Sequence, residues 1–369
     1  MIRFIDTSFF FSNSNDLAAL LQQHEPALGY AHFLKQYAGI EIIKHLDYEG
    51  TQTINGITYS GFKSRNSFWH IPFTSIRHIK KQQPDVVIVQ GLIFPLQLIV
   101  LKLLLKKQTV LLVQHHGEKP AAGIKKWIQQ RADRFADGYL FTSLENAAPW
   151  ISSGIIKSNT KCFELLEAST HFIKENKVLA KKLLELNGDF NFLWVGRLNE
   201  GKDPLTVIKA FGIFCHHNPQ AKLYMIYHTE EMLPEIKKLL EENKLLQNNI
   251  ELVGKLPHNE MERWYNAADF FISGSHFEGS GYALLEAMAC GCIPVVTSIP
   301  SFKKITGNGN HGFLFPPGDS NALVQVLNQL HNIDRDKTSA AIVHYFQQQL
   351  SFSAIADELY SICKKLTGK

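Results

Sequence analysis

The stretch HFEGSGYALLEAMACGCIPVV, residues 276–296, carries two carboxylates in surroundings that do not call for them. Glu278 stands in a Gly-Ser-Gly turn. Glu286 sits inside a run of small and apolar residues that reads as a helix from Tyr282 to Ala289. Phe270–Ser273 before it and Pro294–Thr297 after it read as strands, so the stretch is the turn and helix of one βαβ unit. Gly279 and Gly281 let the backbone come close to a ligand. The free amides of Ser280 and Gly281 at the helix start suit a phosphate. Glu278, just outside that nest, suits hydroxyl groups. Glu286 lies deeper in the helix and suits a vicinal diol such as ribose. The bland alternative is a solvated Glu278 and a salt-bridged Glu286.

A second loop has the same construction. In WVGRLNEGKDPLTVIKAF, residues 194–211, a strand ends at Gly196 and Arg197 follows at its carboxyl edge. Lys202 precedes Asp203 and Pro204, which read as a helix cap and first-turn proline. Two cations thus flank a helix N-terminus, an end that already favours anions. Taken alone, such a pair is also compatible with solvated loop charges.

Short β-branched or aromatic runs alternate with helical patterns along the whole chain. Strands are expected at Ile2–Asp6, Ile40–His45, Asp85–Val89, Val110–Gln114, Gly138–Thr142 and Lys161–Leu165. After a polar break at Leu186–Asp189 they resume at Phe192–Gly196, Leu223–Tyr227 and Ile250–Val253. Alternation of this kind predicts parallel sheets with helices on both faces. The expected division is residues 1–186, residues 187–348, and a terminal helical stretch, 349–369, free to pack back on the first domain. Ligands of such sheets bind beyond the carboxyl ends of the strands.

Composition sets limits. The chain has 369 residues, is 45% hydrophobic and 20% charged, and carries a formal charge of +4. That is globular, and too weakly basic to argue for nucleic acid. Five scattered cysteines and an N-terminus without a cleavage site point to a reducing, cytoplasmic setting. Cys290 and Cys292 read as core thiols. The greasy run from Val86 to Lys107 is interrupted by Gln90, Gly91, Pro95, Gln97 and Lys102. It reads as a strand followed by a core helix rather than a membrane span. Asp334-Arg335-Asp336 follows no strand and reads as a charged linker, so no metal site is expected there. The basic stretches Arg77–Lys81 and Lys125–Arg134, with Ile79, Trp127 and Ile128, suit either a solvated face or peripheral contact with an anionic membrane leaflet.

With these residues in view, GRLNEGKDP followed by EGSGYALLEAMACGCIPVV resembles the donor-binding half of glycosyltransferase family 4. The resemblance implies the GT-B fold, two Rossmann-like doubly wound domains facing across a cleft. It covers about residues 190–330 and rests on the Glu278/Glu286 and Arg197/Lys202 spacings and on the tail Gly312, Leu314 and Asp319. It implies that Arg197 and Lys202 bind the donor diphosphate, that Glu286 holds the ribose, and that Glu278 holds the transferred sugar. The amides of Gly279, Ser280 and Gly281 would touch the distal phosphate or sugar, and Lys255 and Leu256 would edge the base. Tyr227-His228-Thr229-Glu230 stands where the family often has a Gly-acid-Gly turn. In the first half the resemblance implies a histidine near the sugar, His116 with His115 behind it, and a serine, Ser143. The family's Gly-Gly loop is missing, and Gly29 is the nearest candidate for its acceptor-side role.

The implied activity is a retaining transfer from a nucleotide sugar to an acceptor glycan, lipid-linked sugar or small molecule, with no cofactor and no metal. The cations and a helix end would stabilise the leaving diphosphate. A non-catalytic nucleotide-sugar-binding protein and an epimerase of the same fold remain as alternatives. A dinucleotide dehydrogenase is disfavoured because no Gly-x-Gly-x-x-Gly follows a first strand. A glycosidase is disfavoured because Glu278 and Glu286 lie on one side of any bound sugar.

Overall fold

Strands that are apolar on both faces need cover on both sides, and both halves of the chain are built that way in the computed structural model. It describes residues 2–64 and 69–369. Two units result, Met1–Ser169 together with Phe352–Lys369, and Thr170–Ser351.

The first unit holds β1 (Ile2–Ser12), β2 (Ala38–Leu46), β3 (Gly50–Ile54), β4 (Ile57–Phe62), β5 (Val86–Gln90), β6 (Val110–Gln114), β7 (Gly138–Phe141) and β8 (Cys162–Glu164). Their order in the sheet is β3-β4-β2-β1-β5-β6-β7-β8. All neighbours are parallel except β3 and β4. That hairpin turns at Asn55-Gly56, both at positive φ (51° and 80°), as a two-residue turn between twisted strands requires. The sequence reading omits it, although Asn-Gly is its usual signal. The greasy run from Val86 resolves into β5 and the ten-residue helix Pro95–Leu104. Among the described residues no helix is long and apolar enough to cross a membrane. The terminal helix Phe352–Thr367 belongs to this unit. Its Tyr360 stacks on Tyr37 at 4.7 Å, and its Asp357 accepts a 2.8 Å hydrogen bond from the Tyr37 hydroxyl.

The second unit holds β9 (Phe190–Gly196), β10 (Ala221–Tyr227), β11 (Ile250–Gly254), β12 (Phe270–Ser273), β13 (Ile293–Thr297) and β14 (Phe313–Phe315). All are parallel, in the order β11-β10-β9-β12-β13-β14. The chain therefore winds outward in one direction from β9 and in the other from β12. The gap between the loops that follow these two strands is the crevice such sheets offer a ligand. An aromatic core locks β9 to β12, with Phe192 stacked on Phe270 at 5.0 Å and edge-on to Phe211 at 5.6 Å.

Two expectations need correction. The division falls at Ser169/Thr170, so residues 170–186 go with the second unit. The cause is Asp269, buried at the foot of β12. It takes Lys177 and Lys181 of the helix Lys177–Leu183, each at 3.0 Å, and also accepts from the backbone N–H of Asn191. The break at Leu186–Asp189 is a loop inside the unit. Nor is Asp334-Arg335-Asp336 a linker. Asp334 caps the helix Arg335–Tyr345 by accepting from Lys337 N at 3.0 Å, and the Arg335 guanidinium lies 4.1 Å over the Phe190 ring. All five cysteines are buried free thiols.

Burial alone would raise the Asp269 pKa, but Lys177, Lys181 and the Asn191 donor hold it below its ordinary value. A depressed folded pKa adds stability above the unfolded carboxyl value of about 3.9, and that share is lost as pH falls through the lower folded value. Asp269→Asn is expected to lower the unfolding free energy by about 2 kcal/mol at neutral pH. It should also flatten the acid limb of stability against pH. Urea titrations across the acid range measure both.

Candidate functional site

Beyond β9 and β12 the second unit encloses a cavity of ≈ 430 Å³, within the range of small-ligand sites. Both loops singled out from sequence supply its walls. Arg197, Lys202, Glu278, Ser280, Gly281 and Glu286 line it, and Lys255 and Leu256 close it from the loop after β11. Gly279, in the same turn, is not among the lining residues.

Local chemistry shapes each wall. Asn199 accepts from Lys202 N, which tightens the turn after Arg197. Asp203 adopts a left-handed φ of 42° and caps the helix Pro204–His217 by accepting from Thr206 N at 3.2 Å. Gly281, at φ 63°, opens the helix Tyr282–Ala289. A Cβ there would sit 2.7 Å from Ile305 Cδ1, so the position requires glycine. Buried Ser301 donates to the Glu278 carbonyl at 2.6 Å and fixes the turn from below. The first amides of that helix therefore face the cavity with their dipole end, while Arg197 and Lys202 stand at the opposite loop.

The two carboxylates are not idle. Glu278 Oε1 forms an ion pair with Lys202 and accepts from the Ser275 hydroxyl at 2.7 Å. The residues implied for phosphate and for sugar thus touch each other. Glu286 is 3% exposed. Its Oε2 accepts from the Tyr265 hydroxyl at 2.9 Å, and its Oε1 meets His258 Nε2 at 2.5 Å. Burial, then the Glu286 charge, raises the Tyr265 pKa well above its ordinary value, so that phenol stays a donor. One Glu286 oxygen is thus committed to a buried partner. The other faces half-exposed His258, whose ring stacks with Phe172 (5.0 Å) and with Tyr282 (6.0 Å). Sequence reasoning missed Tyr265, His258, Tyr282 and Ser301. His258 alone had a signal, standing two residues past Leu256 in a post-strand loop. Tyr227 and His228, which replace the Gly-acid-Gly turn, also line the cavity.

The first unit places its expected residues apart from one another in role. His116 follows β6. Asp6 accepts from the Tyr30 hydroxyl and from Gln90 Nε2, both at 2.6 Å. That orients Gln90 so that its Oε1 accepts from His116 Nε2 at 2.7 Å. His116 Nδ1 pairs with Glu167. Burial would lower the His116 pKa, but the Glu167 hydrogen bond and the charges of Glu167, Glu118 and Asp6 raise it. Both ring nitrogens face acceptors, Gln90 Oε1 and the Glu167 carboxylate, an arrangement that favours the protonated imidazole. His115 is buried, with Nε2 3.0 Å from the Glu118 carbonyl. Ser143 is buried. It caps a short helical turn by accepting from Glu145 N. Gly29 has a helical φ of −57°, and a Cβ on it would lie 2.5 Å from the Phe352 ring. Its smallness serves packing against the terminal helix, not an open phosphate loop.

A parallel sheet whose reversal point gathers fixed cations, helix amides and two carboxylates defines a nucleotide-binding unit of Rossmann type. The chain holds two parallel-sheet units, the architecture of the GT-B fold. Residues 175–348 match the model of the family described as glycosyl transferases group 1. Over 173 residues the chain is 28% identical to the poly(glycerol-phosphate) alpha-glucosyltransferase of Bacillus subtilis, covering 46% of this chain and 23% of that protein. Over 184 residues it is 30% identical to a putative colanic acid biosynthesis glycosyltransferase of Salmonella typhimurium, covering 47% and 44%. The match thus spans less than half the length of either relative. The structure of Anabaena HepE in complex with UDP and glucose superposes with a TM-score of 0.71 at 14% identity, covering 99% of this chain and all of that one.

Two substitutions probe this geometry. Gly281→Ala forces a left-handed alanine against Ile305 and is expected to cost about 1–2 kcal/mol of stability, read by thermal or urea melts. Glu167→Gln removes the partner of His116 Nδ1, so the imidazole pKa should fall, as an NMR titration would show.

Proposed function

We propose that this chain is a retaining glycosyltransferase of the family 4 type, moving a sugar from a nucleoside-diphosphate sugar to an acceptor hydroxyl without a metal. The observation that carries the reading is the gathering of Arg197, Lys202, the Ser280–Leu284 amide end and Glu286 in one cavity large enough for such a donor. A sugar nucleotide has three unlike parts, and the walls differ in the same way. The diphosphate takes Arg197, Lys202 and the helix amides. The ribose takes the exposed side of Glu286, replacing His258. The base lies along Lys255 and Leu256.

Cleavage of the sugar–phosphate bond builds negative charge on the departing diphosphate. Arg197 and Lys202 are pre-placed to receive it, and removing either is expected to slow transfer by about 10²–10³. In the apo form Lys202 is neutralised by Glu278. An arriving diphosphate draws the ammonium away, freeing the carboxylate for hydroxyls of the transferred sugar. Donor binding thereby arms both residues together. The acceptor is a hydroxyl of a glycan or lipid-linked intermediate, in keeping with the poly(glycerol-phosphate) and colanic acid in the names of the two relatives. Free buried cysteines support residence in a reducing, cytoplasmic compartment.

A thermal-shift panel of UDP-, GDP- and ADP-sugars should show one base preferred, with Glu286→Ala abolishing the shift. Turnover of that donor should survive a chelator, and Glu278→Ala should slow transfer more than it weakens binding. Binding without transfer or donor hydrolysis would make the chain a sensor. Loss of turnover on chelation would end the metal-free mechanism.

A further inference from the structure

One side of the first unit's sheet is covered by the helices Phe73–Gln82, Pro95–Leu104 and Gly123–Ala132. Their inner residues Ile76, Ile79, Leu98, Leu101 and Ala132 join one buried cluster with Val87, Val89, Leu111 and Val113 of the strands. The three helices therefore present their outer faces to the same side. None of them contains an aspartate or glutamate, in a chain with 34 acidic residues. Arg77, Lys80, Lys81, Lys125 and Arg131 stand exposed on these faces.

The same faces carry large apolar side chains that the core does not use. Phe73 is 50% exposed, Leu103 67%, Ile124 63% and Trp127 52%. The Arg131 guanidinium lies 5.0 Å over the Trp127 ring, so cation and indole are presented together. A merely solvated face has no need of Ile124 or Leu103. A nucleic-acid backbone would use the cations and leave the apolar groups in water. An anionic bilayer takes both, since its headgroups pair with lysine and arginine and its interface accommodates tryptophan, phenylalanine and aliphatic tips.

We infer that the outer face of the 73–82, 95–104 and 123–132 helices docks on an anionic phospholipid surface. The inference stands on this face alone and is independent of the transferase reading. Docking needs no insertion of a helix, only the seating of side chains already exposed. The sequence hinted at the cations and at Trp127. The structure adds Phe73, Leu103 and Ile124, and shows that the three helices share one side of the sheet.

Co-sedimentation of the full chain with vesicles tests it. The comparison is phosphatidylcholine alone against an equal mixture with phosphatidylglycerol. Binding should favour the mixed vesicles by tenfold or more and weaken as salt is raised. The pair Lys125→Gln and Arg131→Gln should lose about fivefold per charge. The pair Ile124→Ser and Trp127→Ser should weaken binding while keeping its dependence on the anionic lipid. An unchanged melting temperature shows that both double variants fold. Equal binding to both vesicle types, no binding to either, or full binding by both double variants overturns the inference. So does a lipid-free dimer that the Ile124/Trp127 pair dissolves, which would assign the face to a second copy of the chain.

Discussion

The structure depends on one constraint of parallel sheets. Strands that all run the same way must be joined by crossovers, so the loops that follow their carboxyl ends all lie at one edge of the sheet. Where the winding direction reverses, between β9 and β12 in the second unit, two of those loops part and leave an open crevice. Everything placed there follows. The turn after β9 brings Arg197 and Lys202, the glycine turn after β12 brings Glu278 and a helix end, and the cavity lies between them. Asp269, by tying β9, β12 and the helix Lys177–Leu183 at the opposite end, keeps this edge in register.

The site meets a second constraint, the cost of holding charge in a half-buried place without partners. Three of the charged groups of the cavity wall are paired with neighbours. Lys202 and Glu278 neutralise each other, and Glu286 is held by Tyr265 and His258. These contacts satisfy the charges of the cavity wall, and a ligand that took the same groups would have to replace them. The exchange is inexpensive where the partner is exposed, as at His258, and costly where it is buried, as at Tyr265. One oxygen of Glu286 is therefore held by an exposed partner and the other by a buried one. In the first unit His116 is likewise bracketed, because Asp6 orients Gln90 on one side and Glu167 closes the other.

Much of this was legible before any coordinates. Continuous apolar runs marked the strands of a parallel sheet, and glycine, proline and aspartate marked the turns that open helices at its edge. The spacings from Glu278 to Glu286 and from Arg197 to Lys202 named the walls of the cavity, because each pair is local to one turn and one helix. Local spacing is what a sequence encodes directly. The hairpin at Asn55-Gly56 was equally local and simply went unread.

What the tertiary structure alone decided is which distant residues meet. No spacing announces that Tyr265 and His258 would share Glu286, that Ser301 would hold the turn at Glu278, or that Phe352 would cover Gly29 from the far end of the chain. Nor could local pattern place the domain boundary, since the polar break at 186–189 looks like a linker until Lys177 and Lys181 are seen reaching Asp269. The sequence by itself determined the fold class and the two ligand loops, through periodicity and turn chemistry. Packing determined the partners of every charge, because a partner is chosen by proximity in space among groups that the chain brings together only once it has folded.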